Sequence, residues 1–250
     1  MSLFSFFTRS QAGGHTVPEG QRVYAIGDIH GRLDLLDALL EQIRADDEAR
    51  GGAETQLIFL GDYVDRGPSS KQVVDRMIEL RDGPTPTRFL VGNHEQLFLN
   101  SLAGDQRTMR VFIRNGGKET LFSYGIDSTD YSSSSLQQLI DLMGQLVPPE
   151  HVSFISSLEH MIEVGDYLFV HAGIRPGLAL EAQSTSELCW IRGEFLNHRD
   201  SFGKMVVHGH TIRDEPEVRS NRIGIDTGAF HSGRLTALGL EGGERWFLST

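Results

Sequence analysis

Short apolar runs alternate with helical patterns through the first hundred residues. The apolar runs predict buried strands, and they are Val23-Tyr24-Ala25-Ile26, Leu57-Ile58-Phe59-Leu60 and Phe89-Leu90-Val91. Each run is followed by apolar residues at helical spacing, as in Leu33, Leu36 and Leu40 after the first. Strands that alternate with helices indicate βαβ units and a sheet with parallel pairing.

The alternation of strand and helix patterns ends near residue 100, and the pattern changes again near residue 161. Residues 100–160 carry short helical patterns broken by glycine, serine and proline, which predicts a helical insertion over the strand ends. From about Met161 the pattern turns to strands, and Gly165-Asp166 is typical of a two-residue hairpin turn. We therefore expect one α/β domain over residues 21–250, preceded by a flexible tail over residues 1–20.

Composition narrows the class of protein. The chain has 250 residues and a formal net charge of −11, and no basic stripe supplies contacts to a nucleic acid. No apolar run approaches the roughly 20 residues of a membrane span, and the apolar start is too short for a signal peptide. Cys189 is the single cysteine, so no internal disulfide can form, which indicates a reducing compartment. We expect Cys189 to be a small buried side chain rather than a reactive thiol. We expect a cytoplasmic protein without a nucleic-acid or membrane partner.

Polar motifs with metal-ligand residues follow the predicted strands. They read Gly27-Asp28-Ile29-His30-Gly31, Gly61-Asp62-Tyr63-Val64-Asp65-Arg66-Gly67, Gly92-Asn93-His94-Glu95, His171-Ala172-Gly173 and Gly209-His210-Thr211. Because strand ends open into one shared crevice, these side chains should converge. Oxygen and imidazole ligands without thiolate suit hard or borderline divalent metals, and the set has the makeup of a two-metal hydrolytic site.

These motifs, in this order, resemble the phosphoprotein phosphatase family of calcineurin-like metallophosphoesterases. The resemblance covers residues 22–240 and is greatest to the compact bacterial and phage serine/threonine phosphatases. Ile225-Asp226-Thr227-Gly228 near the end of the chain adds to it. It implies a calcineurin-like metallophosphoesterase fold in which two packed mixed β-sheets are flanked by helices, in the layer order α/β/β/α.

The resemblance also implies a ligand set for two divalent metal ions. Asp28 and His30 are two positions apart, so in extended backbone both project to one side and can bind the same ion. Asp62 would bridge the two ions, and the remaining ligands would be Asn93, His171 and His210. We choose His210 over His208 because the family ligand follows a small residue, here Gly209. Mn²⁺ is the expected ion, and iron and zinc are alternatives.

Further residues acquire roles through the same resemblance. His94 would be the general acid, and Asp65 would orient its imidazole. Arg66 and Asn93 would bind the phosphate of the substrate. Arg192 is the candidate for a second phosphate-binding arginine, with Arg199 as its competitor. Glu95 is interpreted as structural support.

The implied activity is hydrolysis of phosphomonoesters, on phosphoserine or phosphothreonine of proteins or on a small phosphoester, through direct attack of a metal-bridging hydroxide. The alternative is symmetrical hydrolysis of dinucleoside tetraphosphates. Relatives with that activity typically carry an aspartate where this chain has Glu95 and an alanine where it has Asp65, which favours the phosphatase. A scaffold that binds phosphoproteins without catalysis should have lost a ligand, and none is missing.

Overall fold

The computed structural model describes the backbone of residues 10 and 11 and all of residues 14–250. Two sheets carry the strands. The strands are β1 (Ser10–Gln11), β2 (Gln21–Ile26), β3 (Glu54–Phe59), β4 (Thr87–Phe89), β5 (Met161–Val164), β6 (Tyr167–Val170), β7 (Met205–His208), β8 (Glu217–Val218), β9 (Arg222–Gly224), β10 (Thr236–Glu241) and β11 (Glu244–Ser249). The first sheet has the order β1-β11-β10-β2-β3-β4 and the second has the order β5-β6-β7-β9-β8.

Helices connect and cover the sheets. The α-helices are α1 (Leu33–Arg50), α2 (Ser70–Arg81), α3 (Asn93–Leu102), α4 (Gln106–Phe112), α5 (Lys118–Ser123), α6 (Ser128–Ser133), α7 (Leu136–Leu146), α8 (Pro149–Ser156), α9 (Thr185–Trp190), α10 (Gly193–Leu196) and α11 (Ala229–Ser232). A π-helical stretch over Ile113–Gly117 joins α4 to α5. The segment predicted as a helical insertion thus consists of helices, from the end of α3 to α8.

Both sheets are mixed. In the first, β2, β3 and β4 are parallel and follow the predicted βαβ units, while β10 and β11 are antiparallel. In the second, β6, β7 and β9 are parallel, whereas β5 and β8 are antiparallel edge strands. The parallel strands of each sheet therefore deliver several carboxyl ends to the same edge.

The core has three parts that define the layers. One apolar cluster includes Ile58 and Leu238 of the first sheet together with Phe169 and Val207 of the second, so the two sheets pack face to face. The largest cluster joins the first sheet to the helices on its outer face. The third joins the second sheet to residues of α9 and α10. This is the predicted α/β/β/α layering.

The predicted N-terminal tail falls partly on described residues. Positions 1–9, 12 and 13 lie outside the described part of the chain. Ser10–Gln11 pairs with β11, and the Val17 side chain is buried. The amide of Val17 donates to Gly242 and that of Thr16 to Asp166. The described residues 14–20 therefore contact both sheets.

Candidate metal centre and phosphate site

The predicted metal ligands converge at the carboxyl ends of the parallel strands. All of them are buried, with exposed fractions of at most 7% for Asp28, His30, Asp62, Asn93, His171 and His210. The described residues include two groups of three potential ligands, and within each group the ligand atoms lie within 4.8 Å of one another. The first group is His30, Asp62 and His94, and the second is Asp62, His171 and His210. Asp62 belongs to both groups, which is the position expected of a bridging carboxylate.

The histidine ring nitrogens are arranged to bind a cation. The ring of His30 contacts the Val64 carbonyl through Nδ1 at 2.8 Å, and the ring of His171 contacts the Leu60 carbonyl in the same way at 2.8 Å. A carbonyl accepts only from a protonated Nδ1, so in the neutral ring the lone pair lies on Nε2, the atom that faces Asp62 and could bind a metal. The Nε2 atoms lie 3.5 and 3.4 Å from the two Asp62 oxygens.

The second group of ligand atoms favours a positive charge. His171 Nε2 also lies 3.0 Å from Asn93 Oδ1. The buried Nε2 of His210 has no hydrogen-bond partner among the described residues, although an uncompensated buried polar atom is costly. Burial lowers the pKa of His171, but the charge of Asp62, the hydrogen bond to Asp62 and the charge of Asp28 together raise this pKa to about 10. A divalent cation between these atoms would provide His210 Nε2 with a partner and would compensate the negative charge of Asp62.

Buried carboxylates surround the same place. Burial and the neighbouring charge of Asp226 raise the pKa of Asp28 well above its usual value. Burial also raises the pKa of Asp226 to about 6, helped by the charge of Asp62. Because like charges oppose ionisation of one another, a nearby cation would stabilise all three carboxylates. Asp226 was singled out in the sequence only as part of a motif, and the structure places it beside the ligands.

Among the described residues other than glycine, left-handed backbone conformations occur only at this site. They are the positive φ angles of His30, Asp62, Asp65, Arg66 and His210. Such angles are unfavourable for residues with a side chain and persist only where the surroundings enforce them. All of them are predicted site residues, so the backbone turns sharply where each side chain must face the cluster.

Two neighbours of the ligands leave no room for a side chain. A Cβ atom at Gly92 would collide with the Asp62 carboxylate, and one at Gly209 would collide with that of Asp28. The backbone amide of His210 instead donates to both oxygens of Asp28, at 3.2 and 3.0 Å. Close approach of the chain therefore fixes these carboxylates.

Glu95 supports the loops rather than the ligand cluster. Its Oε1 accepts hydrogen bonds from the amides of Tyr63 and Val64, and its Oε2 from those of Asp62 and Gly92. One buried carboxylate thus ties the loop after β3 to the start of α3. This geometry agrees with the structural role predicted for Glu95.

The predicted histidine–aspartate pair is formed. His94 Nδ1 lies 2.6 Å from Asp65 Oδ2, and His94 Nε2 lies 3.9 Å from Asp62 Oδ2. Burial lowers the pKa of His94, but the charges of Asp62 and Asp65 and the hydrogen bond to Asp65 raise it above its usual value. The imidazole therefore lies beside the ligand cluster with a carboxylate that favours its protonated form.

Thr120 of the insertion positions Asp65, and sequence reasoning missed it. Its hydroxyl donates to Asp65 Oδ1 at 2.6 Å and accepts from the Asp65 amide at 2.8 Å. The hydroxyl of Ser70 is a second acceptor for that amide, at 3.0 Å. Thr120 is 55 positions from Asp65 in the chain, and no local motif marked it.

We expect Thr120→Val to lower the free energy of unfolding by about 1–3 kcal/mol, because it leaves buried polar groups of Asp65 without their partner. It should also lower kcat/KM for phosphoserine peptides more than for p-nitrophenyl phosphate. Thr120→Ser is the matched control, because it keeps the hydroxyl. Urea unfolding and steady-state kinetics measure both effects, and equal kcat/KM for the two variants would contradict a positioning role.

Arg66 reaches the ligand cluster. Its guanidinium nitrogens lie 2.9 Å from His30 Nε2 and 3.1 Å from His94 Nε2, and its amide donates to Gly116 of the insertion. The guanidinium carbon lies 4.7 Å from the centre of the Phe230 ring. The planar fork of donors is thus held over the metal centre, where it can meet an anion.

The two competing arginines lie in different surroundings. Arg192 is exposed at the start of α10, and its charge contributes to lowering the pKa of His210, after burial and the charge of His171. Arg199 instead lines a separate pocket on the outer face of the second sheet. This difference favours Arg192 as the partner of Arg66.

The remaining predictions concern His208 and Cys189. His208 belongs to β7 and contacts Phe195 and Arg222, on the side of the sheet away from the ligand cluster. The choice of His210 therefore agrees with the geometry. Cys189 is buried, and burial raises its pKa to about 12, which is unfavourable for a reactive thiol.

No helix of the described residues has the length and apolar character needed to cross a bilayer.

Fold and site together define a metal-dependent phosphoesterase. A model of the calcineurin-like phosphoesterase family matches residues 21–214, and the chain belongs to this family. Serine/threonine-protein phosphatase 2 of Escherichia coli (strain K12) is 31% identical over 233 residues, which cover 86% of this chain and 91% of the relative. The asymmetrical bis(5'-nucleosyl)-tetraphosphatase PrpE of Bacillus thuringiensis (strain Al Hakam) is 26% identical over 230 residues, covering 85% and 88%.

Solved structures share the fold. A crystal structure of a putative diadenosine tetraphosphatase superposes with a TM-score of 0.64 at 23% identity, covering 96% of this chain and 97% of the other. A cold-active protein tyrosine phosphatase gives a TM-score of 0.58 at 21% identity, covering 93% and 81%. These similarities establish the metallophosphoesterase architecture, and the substrates of these proteins differ.

Proposed function

We propose that this protein is a two-metal-dependent phosphatase that hydrolyses phosphomonoesters, with phosphoserine and phosphothreonine of proteins as its substrates. The observation that carries the proposal is the pairing of His94 with Asp65 beside the ligand cluster. The alkoxide of serine or threonine is a strongly basic leaving group and needs a proton donor. The similarity to the Escherichia coli serine/threonine phosphatase supports the same proposal.

Asp28, His30, Asp62, Asn93, His171 and His210 would hold two divalent ions, for which we propose Mn²⁺. The ions would polarise the phosphoryl group and lower the pKa of a water molecule for attack on phosphorus. Arg66 binds the phosphate oxygens with its planar fork of donors and stabilises the negative charge that develops on them in the transition state. Asp65 holds the His94 imidazole, and His94 donates a proton to the departing oxygen.

We expect Arg66→Ala to lower both kcat and substrate affinity, with a loss in kcat of roughly 10²–10³-fold, the usual cost of one lost donor to a developing anion. Arg66→Lys is the matched control, because it keeps the positive charge but loses the planar fork of donors. Its kcat should lie between those of wild type and Arg66→Ala. Kinetics on p-nitrophenyl phosphate and metal analysis test this. An unchanged kcat/KM in Arg66→Ala would place the phosphate elsewhere.

Arg192→Ala and Arg199→Ala form a second pair for the same measurement. We expect the first to raise KM and the second to leave it within about twofold of wild type, because Arg192 lies near His210 and Arg199 lines another pocket. The reverse ranking would assign the second phosphate-binding arginine to position 199.

Hydrolysis of dinucleoside tetraphosphates is the second candidate function. It is favoured by the similarity to tetraphosphatases named asymmetrical, whereas the sequence alone suggested symmetrical cleavage as the alternative. Trp190 offers a surface for a nucleobase, because the residue is 40% exposed and its ring centre lies 6.5 Å from that of His210. A stacked base is a common contact of exposed aromatic side chains.

One panel separates the candidates. The Mn²⁺-loaded protein is assayed on a phosphoserine peptide, a phosphotyrosine peptide and diadenosine tetraphosphate, with nucleotide products separated by chromatography. We expect the phosphoserine peptide to give the highest kcat/KM. A higher value for diadenosine tetraphosphate would overturn the protein phosphatase proposal, and its products, two ADP or ATP with AMP, would distinguish symmetrical from asymmetrical cleavage.

A further inference from the structure

A second polar pocket lies on the outer face of the second sheet. It has a volume of about 540 Å³, within the usual range of small-molecule sites. Residues of α10, of the loop after His210 and of the β8–β9 hairpin line it. None of the predicted metal ligands is among its lining residues, so it is separate from the metal centre.

Arginine dominates the lining of this pocket. The charged residues there are Arg199, Arg213, Arg219, Arg222 and Glu217. This excess of positive charge contrasts with the net charge of −11 of the whole chain. Concave surfaces lined by one sign of charge focus the electric field and concentrate ions of the opposite sign.

One carboxylate serves most of these arginines. Glu217 is ion-paired with Arg222 and with Arg219, and it lies 3.9 Å from Arg213. Burial raises the pKa of Glu217, but the hydrogen bonds and the charges of Arg222 and Arg219 together lower this pKa to about 2, so Glu217 stays ionised. A single negative charge cannot neutralise its neighbours, and the pocket keeps a net positive charge.

Several donors are left over in this pocket. The guanidinium of Arg222 is bound to Glu217 and to the Leu196 carbonyl, and its buried Nε has no hydrogen-bond partner among the described residues. Arg199 is exposed, and no hydrogen bond or ion pair joins its side chain to another described residue. Arg213 and Arg219 are 46% and 54% exposed and accessible to a ligand.

We propose that this pocket, the arginine pocket, is a second anion site that binds a phosphate group. Guanidinium groups match the oxygens of phosphate through paired, charge-assisted hydrogen bonds, which lysine cannot form in the same geometry. The bound group is either inorganic phosphate or the phosphate of a larger ligand. The inference does not depend on which phosphoester the metal centre hydrolyses.

Equilibrium dialysis of the Mn²⁺-loaded protein with radiolabelled inorganic phosphate, at fixed ionic strength, tests the proposal. Wild type should bind two equivalents, one at the metal centre and one in the arginine pocket, the latter with a Kd of about 1 mM or tighter. The double variant Arg213→Gln/Arg219→Gln should bind one. Arg66→Ala should lose the equivalent at the metal centre and keep the one in the pocket.

The matched control is Arg44→Gln/Arg107→Gln, which removes the same charge from exposed arginines outside the pocket. It should bind two equivalents. A loss of binding in this control would mean general electrostatic attraction, and would overturn the proposal. So would a single equivalent in wild type that Arg213→Gln/Arg219→Gln retains, or two equivalents in Arg213→Gln/Arg219→Gln.

Competition in the Arg66→Ala protein identifies the source of the phosphate. Displacement of the labelled ion by phosphoserine or by AMP would show that the arginine pocket accepts a carried phosphate group. Binding that resists both, but yields to unlabelled phosphate, would assign the pocket to the inorganic ion. Either result supports the site, while failure of all three to displace the label would overturn it.

Discussion

Asp62→Asn is expected to abolish most of the activity and to lower the metal content of the protein. Asp62 belongs to both groups of ligand atoms, with its two oxygens 3.5 and 3.4 Å from the Nε2 atoms of His30 and His171. Loss of a residue that merely orients a ligand costs roughly 10–100-fold in affinity or activity, and loss of the shared ligand should exceed that. The measurements are metal analysis and kcat/KM for p-nitrophenyl phosphate.

The Asn substitution suits this position. Asp62 has a φ of 54°, and asparagine tolerates that region better than most residues, so the backbone should hold. Asp226→Asn is the matched control, because it removes an equally buried carboxylate near the site that is not among the proposed ligands. It should retain both ions. Full metal content and activity in Asp62→Asn would contradict the bridging role.

Metal removal is the complementary experiment. Protein stripped by a chelator should be inactive on p-nitrophenyl phosphate and should recover with Mn²⁺, because the ligand set is oxygen and imidazole without thiolate. Full activity after verified removal of all metal would contradict the two-metal proposal. Recovery with zinc or iron, and not with Mn²⁺, would correct the proposed ion alone.

The ligand cluster could be predicted from sequence because each part of it is local. Every ligand follows an apolar run within a few residues, and parallel strands bring their carboxyl ends to one edge. Asp62, for example, is three positions beyond the end of β3. The positions of the motifs after the strands therefore predicted that these side chains converge, while the ligand roles and the layering followed from the family resemblance.

Contacts between distant segments could not be read in the same way. Thr120 reaches Asp65, and Gly116 accepts from the Arg66 amide, because the insertion folds back over the strand ends. Helical periodicity gives the existence of such helices but not the direction in which they pack. The burial of Val17 was missed for a similar reason, since its partner Gly242 lies near the other end of the chain.

The choice between Arg192 and Arg199 depended on a short loop region. Both residues are exposed and only seven positions apart, and α10 lies between them. Turns around a helix of four residues decide where each side chain lies, and no periodic pattern encodes them. The structure separates the two because Arg199 lines the arginine pocket whereas Arg192 influences His210.

His94→Asn is expected to affect substrates according to their leaving groups. p-Nitrophenolate departs without a proton, whereas the alkoxide of serine does not. The variant should therefore lower kcat/KM for a phosphoserine peptide by roughly 10²–10⁴-fold, the usual contribution of a positioned acid, with a much smaller loss on p-nitrophenyl phosphate. Steady-state kinetics on both substrates, with metal content verified, measure this bias.

Asp65→Asn is the companion variant. Asp65 lies 2.6 Å from His94 Nδ1 and its charge favours the protonated imidazole, so its loss should produce the same bias more weakly. The hydroxyl of Thr120 can still contact the asparagine, which limits structural damage. Equal losses on both substrates in His94→Asn, with metal occupancy intact, would mean that His94 organises the site and donates no proton. A loss of kcat/KM on the phosphoserine peptide alone, in both variants, would instead assign proton donation to the His94–Asp65 pair. Only the departing alkoxide requires a proton.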